Sequence, residues 1–158
     1  MKVAVIAVGK ARGPVGEALA EYETRAGRYF AFDTAEVREE AYRRSGDAGR
    51  VRDEEGKRLL ARVPPGAEIV ALHETGKQLT SPQLAAYLEA LALRGSGAAF
   101  LLGGAYGLSD EVLSRAAVRL SLSAMTLTHE LARLVLAEQI YRAGTINRGE
   151  PYHKGREA

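Results

Sequence analysis

Only three side chains in this sequence titrate near neutral pH, the histidines His73, His129 and His153. His73 opens the loop His73-Glu74-Thr75-Gly76-Lys77, at the end of an apolar run. His129 opens the longest apolar stretch, where it serves a helix start as readily as catalysis. His153 stands in the tail Pro151-Tyr152-His153-Lys154, which has no core to serve, so a chemical role is expected for it. Glu138 and Arg142 are one helical turn apart among apolar residues, a spacing that lets them pair and lowers the cost of burying either charge. Gly103-Gly104-Ala105-Tyr106-Gly107 follows a strand signal and precedes a helix signal, an order that allows close backbone approach to a ligand. A plain tight turn uses the same residues, and the spacing is not the dinucleotide fingerprint, whose first two glycines are separated by one residue. Gly76-Lys77 lacks both the preceding glycine and the following hydroxyl residue of a P-loop. The chain has no cysteine, which excludes disulfides, thiolate metal sites and cysteine nucleophiles. With no His-x-x-x-His, clustered aspartates or Gly-x-Ser-x-Gly, no metal site and no serine esterase chemistry is expected.

Alternating strand and helix signals must position these groups. Strands are expected at 2–8, 32–39, 67–72, 98–102 and 118–122, from β-branched or apolar runs ended by glycine or small polar residues. Helices are expected at 15–29, 50–62, from Ser81, from Ser109, and at 129–143. Ser81-Pro82 reads as a cap followed by proline at the first helical position, and 41–49 reads as a mobile loop. Such alternation implies one α/β domain over 1–158, a mainly parallel sheet with helices on both faces. The helix at 129–143 is apolar all round: Leu131, Leu134 and Val135 cover one side, Leu136 and Ile140 the other. In so small a chain the second side predicts a partner subunit, a homodimer with twofold symmetry.

The 158 residues are 46% hydrophobic and 27% charged, which suits an ordinary globular domain. The net charge is only +2, so placement matters more than sum. Arg38, Arg43, Arg44, Arg50, Arg52, Lys57, Arg58 and Arg62 crowd one segment, interleaved with Glu39, Glu40, Asp47, Asp53, Glu54 and Glu55 as in a solvated charged helix. Arg142, Arg148, Lys154 and Arg156 crowd the tail with few acids nearby. Two such patches can form a phosphate-binding surface. The apolar start is too short for a membrane span and lacks a signal-peptide pattern, so a cytoplasmic protein without membrane partners is expected.

Three loops at strand ends, 72–77, 103–108 and 122–128, offer glycines, backbone amides, apolar side chains and hydroxyls with little charge. That chemistry suits a nucleoside of modest charge better than a triphosphate. Four ordered motifs then carry a resemblance: Leu102-Gly103-Gly104-Ala105-Tyr106-Gly107-Leu108; Leu120-Ser121-Leu122-Ser123-Ala124-Met125-Thr126-Leu127-Thr128-His129; Glu138-Gln139-Ile140-Tyr141-Arg142-Ala143; and Pro151-Tyr152-His153-Lys154. With Val5-Ile6-Ala7-Val8-Gly9-Lys10 and Leu72-x-x-x-Gly76-Lys77, the chain resembles the ribosomal RNA large-subunit methyltransferase H family over its whole length, a minimal branch of the SPOUT methyltransferases. One departure is Thr128, where some relatives carry proline.

The resemblance implies a SPOUT-type α/β knot with a C-terminal trefoil knot, one of the few exceptions to the rule against threaded chains. It implies S-adenosylmethionine held by Leu72, Gly76, Gly103, Gly104, Gly107, Leu122, Ser123, Ala124, Met125, Thr126 and Leu127. It implies methylation of N3 of a pseudouridine in a large-subunit rRNA stem-loop on assembled ribosomes, by a homodimer in which one subunit's tail completes the partner's site. The N3 proton must leave, so His153 or His129 is expected to handle it, with Arg142 stabilising the developing anion, Tyr152 orienting the base and Lys154 holding phosphate. Glu138 is expected to orient Arg142. The competing reading is a non-enzymatic nucleotide- or RNA-binding module using the same pocket; a dinucleotide oxidoreductase is poorer still, lacking the fingerprint.

Overall fold

The computed structural model describes residues 1–154, so Arg156 of the basic tail lies outside the described residues. Five strands form one sheet: β1 (Lys2–Val8), β2 (Ala31–Val37), β3 (Ala67–Gln78), β4 (Gly97–Leu102) and β5 (Val118–Ser121). Their order is β2-β1-β4-β3-β5, and every neighbouring pair is parallel. A helix crosses between each strand and the next: α1 (Gly13–Ala26), α2 (Ala48–Leu60), α3 (Ser81–Leu93) and α4 (Asp110–Arg115). The last helix, α5 (His129–Asn147), follows β5.

Both sheet faces are covered, and the strand sequences show why. Val3, Val5 and Ala7 alternate with Ala4, Ile6 and Val8, and Ala98, Phe100 and Leu102 alternate with Ala99 and Leu101. The first set packs with Leu84, Leu88 and Leu91 of α3 and Leu136 and Ile140 of α5; the second packs with Leu59 of α2 and Val112 of α4. A strand buried on both faces must be apolar along its buried length, as Val3 to Val8 of β1 and Ala98 to Leu102 of β4 are. Among the described residues no helix is long and apolar enough to cross a membrane.

Several boundaries differ from the sequence expectation, each for a local reason. β3 does not stop at 72: it runs to Gln78, with Leu72 and Lys77 both registered to Leu120 and the residues between them bulged out. A Cβ on Gly76 would sit 2.6 Å from the Arg119 carbonyl oxygen, so glycine is what allows the strand to rejoin β5 there. The α3 cap is Thr80, not Ser81: its hydroxyl accepts from the Gln83 amide at 3.2 Å, and the Gln83 side chain accepts from the Thr80 amide at 2.8 Å. Ser81 instead donates to Gln139 Oε1 at 2.5 Å, tying α3 to α5. α5 runs four residues past 143, because Gly144 is not a stop: a Cβ there would lie 2.6 Å from Tyr29, so the glycine lets the helix press against that ring.

The segment expected as a mobile loop at 41–49 gives its last two residues to α2, and the rest is clamped. Arg50 bonds Glu40 at 2.5 Å, the Ala41 carbonyl at 2.6 Å and Asp47 at 2.6 Å. Arg58 donates to the other Glu40 oxygen at 2.6 Å. These pairs hold the Asp47 and Glu40 carboxyls below the ordinary carboxylate range, chiefly through their hydrogen bonds to Arg50 and Arg58 respectively.

Candidate functional site

A cavity of about 570 Å³ opens at the carboxyl ends of β3, β4 and β5. Leu72 is its wall from β3, and Leu102, Gly103, Gly104, Tyr106, Gly107 and Leu108 form its wall after β4. Leu122, Ser123, Met125, Thr126 and Leu127 form the third wall, and His129 closes it from the first turn of α5. Most of the residues expected to bind a cofactor therefore meet in one place. Gly76 and Ala124 are not in the lining: Gly76 lies against the β5 backbone, and Ala124 is exposed.

Two tight turns shape the cavity. The Gly107 amide donates to the Gly104 carbonyl at 3.1 Å, and Gly107 has a φ of +82°, a backbone region that favours glycine. A Cβ on Gly103 would meet the Gly107 carbonyl carbon at 2.5 Å, so the turn closes only on a bare α-carbon. In the third wall, Ser121 Oγ donates to the Ser123 carbonyl and Ser123 Oγ accepts from the Met125 amide, both at 2.9 Å. Thr128 then caps α5 by accepting from the Leu131 amide, which places His129 at the cavity edge. Among the described residues, neither ring nitrogen of His129 has a hydrogen-bond partner in the protein. The lining also includes Arg52 of α2 and Asp110 of α4, which the sequence did not connect to the site, and Glu74 of the β3 bulge, which lies in the expected 72–77 loop without having been singled out. No residue spacing signals them as a set, because they come from three separate elements, α2, β3 and α4.

Arg142, Tyr152 and His153 are brought together, but outside that cavity. Arg142 Nη2 donates to Glu138 Oε2 at 2.8 Å, and its guanidinium lies 4.7 Å from the centre of the Tyr152 ring. The Tyr152 hydroxyl donates to the same Glu138 oxygen at 2.8 Å. Arg142 Nη1 lies 3.1 Å from His153 Nδ1. A guanidinium only donates, so Nδ1 accepts and the neutral ring carries its proton on Nε2. Burial, then the bond to Glu138, pushes the Tyr152 phenol above its ordinary value, and the Glu138 carboxylate raises Arg142 likewise. Two of the four groups, Arg142 and Tyr152, are thus donors oriented by one carboxylate, the first as the Glu138–Arg142 spacing predicts, and His153 is held in turn by Arg142. Lys154 is exposed beside them. Among the described residues no group of His, Cys, Asp and Glu is arranged to hold a metal ion.

Comparison with known proteins places this arrangement. A family model described as a predicted SPOUT methyltransferase matches residues 1–153. A ribosomal RNA large subunit methyltransferase H from Anaeromyxobacter dehalogenans is 51% identical over 155 residues, covering 98% of this chain and all of the relative. In fold, the chain is similar to TrmJ from Z. mobilis, with a TM-score of 0.54 at 19% identity over 96% of this chain and 72% of that one. It is also similar to Lpg2936 from Legionella pneumophila, solved with bound SAM, with a TM-score of 0.50 at 12% identity over 90% of this chain and 66% of that one. With its fold, its strand-end cavity and its full-length likeness all agreeing, the chain belongs to the SPOUT methyltransferase family, in the group of ribosomal RNA large subunit methyltransferases H.

Proposed function

We propose that this protein is a homodimeric, S-adenosylmethionine-dependent methyltransferase of large-subunit rRNA, acting on N3 of a pseudouridine in the assembled ribosome. The observation that carries the reading is the cavity walled by the Gly103–Leu108 turn, the Leu122–Leu127 loop and Leu72. The relatives' name supports the rRNA target, and the SAM bound to the Legionella protein supports the cofactor.

The residues present fit that cofactor. A cavity of about 570 Å³ lies within the roughly 300–1,000 Å³ usual for small-molecule sites. Leu72, Leu102 and Leu127 give an apolar surface for the adenine, and the glycine turn and hydroxyls of Ser123 and Thr126 suit the ribose. Glu74 and Asp110 place carboxylates where a cationic ligand is favoured. Bound there, the cofactor supplies a methyl group activated by a sulfonium.

The chain's own side chains then handle the proton and the charge. His129 faces the cavity with both ring nitrogens available, so it takes the N3 proton. His153, accepting from Arg142 at Nδ1, presents an Nε2–H, which suits a carbonyl that gains negative charge as N3 is deprotonated. Arg142, held by Glu138, adds a fixed cation beside it. The Tyr152 phenol stays protonated and orients the base, and Lys154 meets phosphate. The tail cluster does not line its own chain's cavity, so the proposed dimer brings it to the partner's. Leu131 and Val135, 42% and 37% exposed on α5, provide the apolar stripe for that contact.

The test is methyl incorporation into ribosomes from a strain lacking the modification, followed by mapping of the labelled nucleotide. Label on N3 of a pseudouridine, and weaker labelling of isolated rRNA than of ribosomes, is the expected result. Label on a ribose, on another base, or preferentially on protein-free rRNA overturns it. His129→Ala is expected to abolish turnover while SAM binding persists.

A further inference from the structure

Beside the cavity mouth, two large rings stack in the open. Tyr42, in the segment before α2, and Tyr106, in the glycine turn, lie with centroids 5.1 Å apart and planes 21° from parallel. They are 46% and 41% exposed, among the most exposed large apolar side chains of the fold. A pair serving only the core would be buried; this one keeps roughly half of its surface in water. Tyr106 lines the cavity, so the stack leads outward from the site.

The surroundings are cationic by construction. Arg52 lines the same cavity and donates to the Tyr106 carbonyl at 3.4 Å. Arg43 and Arg44 are exposed next to Tyr42. On the Tyr42 side the acids of the clamp are engaged, Glu40 by Arg50 and Arg58 and Asp47 by Arg50, while Glu74 and Asp110 lie in the cavity lining with Arg52. Among the described residues, Arg43, Arg44 and Arg52 form no ion pair. The same Arg50 clamp, with the Arg43 amide donating to Asp47 at 2.9 Å, fixes the segment that carries Tyr42, so little ordering cost remains for binding.

Aromatic faces next to uncompensated arginines are how proteins hold single-stranded nucleic acid: bases stack on the rings and phosphates meet the cations. We infer that Tyr42 and Tyr106, with Arg43, Arg44 and Arg52, form a platform for single-stranded RNA, taking an unpaired base that flanks the methylated nucleotide and the phosphates beside it. Drawing a target base out of its stack exposes the faces of its neighbours, and the platform replaces the lost stacking. The inference rests on the rRNA reading above and adds a recognition surface to it.

The experiment compares wild type, Tyr42→Ala, Tyr42→Phe and the double variant Arg43→Gln/Arg44→Gln in two assays. One is the KM for unmodified ribosomes, with SAM binding and melting temperature as controls; the other is titration of a short unstructured RNA labelled with a fluorophore. Tyr42→Ala is expected to weaken RNA binding about 5- to 150-fold and to raise the ribosome KM in the same direction, with SAM affinity unchanged. Tyr42→Phe, which keeps the ring, restores both. The arginine variant lowers the slope of log affinity against log salt by about 1.4. RNA affinity and KM within twofold of wild type in both Tyr42→Ala and the arginine variant would overturn the platform, as would a Tyr42→Phe defect equal to that of alanine. If wild type methylates nothing in ribosomes yet binds the RNA through Tyr42, the rRNA reading fails and the platform stands. If Tyr42→Ala does not fold, the phenylalanine and arginine variants decide.

Discussion

Alanine at Gly103 gives the sharpest test of how the cavity is built. The added Cβ would lie 2.5 Å from the Gly107 carbonyl carbon, 2.7 Å from its oxygen and 2.9 Å from the Leu108 amide nitrogen. All three are backbone atoms, so no side chain can rotate away. Restoring ordinary contact requires the turn to retreat by about 1 Å, which strains the Gly107–Gly104 hydrogen bond. Overpacking of this kind costs about 1–3 kcal/mol of stability. The function should suffer more than the fold, because Gly104, Tyr106, Gly107 and Leu108 all line the cavity and move with the turn. A displacement of about 1 Å at a positioning element costs turnover on the order of 100-fold. Gly107→Ala is the control: nothing lies within 4 Å of its Cβ, so it meets only the cost of a left-handed backbone, about 1–2 kcal/mol. Calorimetric SAM titration and single-turnover methylation read the function, and thermal melting reads the fold. A Gly103→Ala protein with SAM affinity and turnover within twofold of wild type would refute the account of the turn.

Other expectations follow from single contacts. Thr80→Ala removes the α3 capping box, which costs about 1 kcal/mol and lowers the melting temperature by about 2–4 °C; calorimetry checks this, with SAM affinity expected to hold. Leu131→Asp with Val135→Asp charges the exposed α5 stripe and should give a monomer by sedimentation where wild type gives a dimer; a wild-type monomer at micromolar concentration sinks the dimer. Glu55 is 3% exposed, with Oε1 buried and without a hydrogen-bond partner. Burial raises its carboxyl pKa; the Glu40 amide and Arg58 oppose this, and the Glu39 and Glu40 charges add to it. Because the folded value lies above the unfolded one, the associated stability is present in acid and lost as pH rises through the folded value. Glu55→Gln should therefore stabilise the protein more at about pH 8 than at about pH 4, and equal or reversed shifts in melting temperature would contradict that sign.

Strands β1 and β4 were legible because burial on both faces leaves an unbroken apolar run, as in Val3 to Val8 and Ala98 to Leu102. The extension of β3 was not legible, because His73-Glu74-Thr75-Gly76-Lys77 has no strand pattern: the pairing of Lys77 with Leu120 depends on β5, some forty residues later. The Thr80 cap was signalled by Gln83 three residues on, but the adjacent Ser81-Pro82 imitates a start one residue too late. Gly144 carries no sign that its missing side chain makes room for Tyr29. In the site, glycines and small polar residues at strand ends marked two walls, whereas Arg52, Glu74 and Asp110 reach the cavity from α2, β3 and α4 and share no motif.

The Glu138–Arg142 pair followed from helical spacing, yet its union with Tyr152 and His153 needs the chain to turn back after α5, where Gly149 adopts a φ of +70°. That turn has a consequence for the whole site. It folds the donor cluster onto α5 itself, while His129, at the start of the same helix, faces the cavity, seventeen helical residues from Ile146. At 1.5 Å per residue, a helix of that length separates its ends by roughly 25 Å. Arg142, thirteen residues along, is therefore about 20 Å down the axis from His129, far beyond hydrogen-bond reach of one base. The two sets of groups can act on a single nucleotide only if the cluster comes from a second chain, which is the physical case for the proposed dimer.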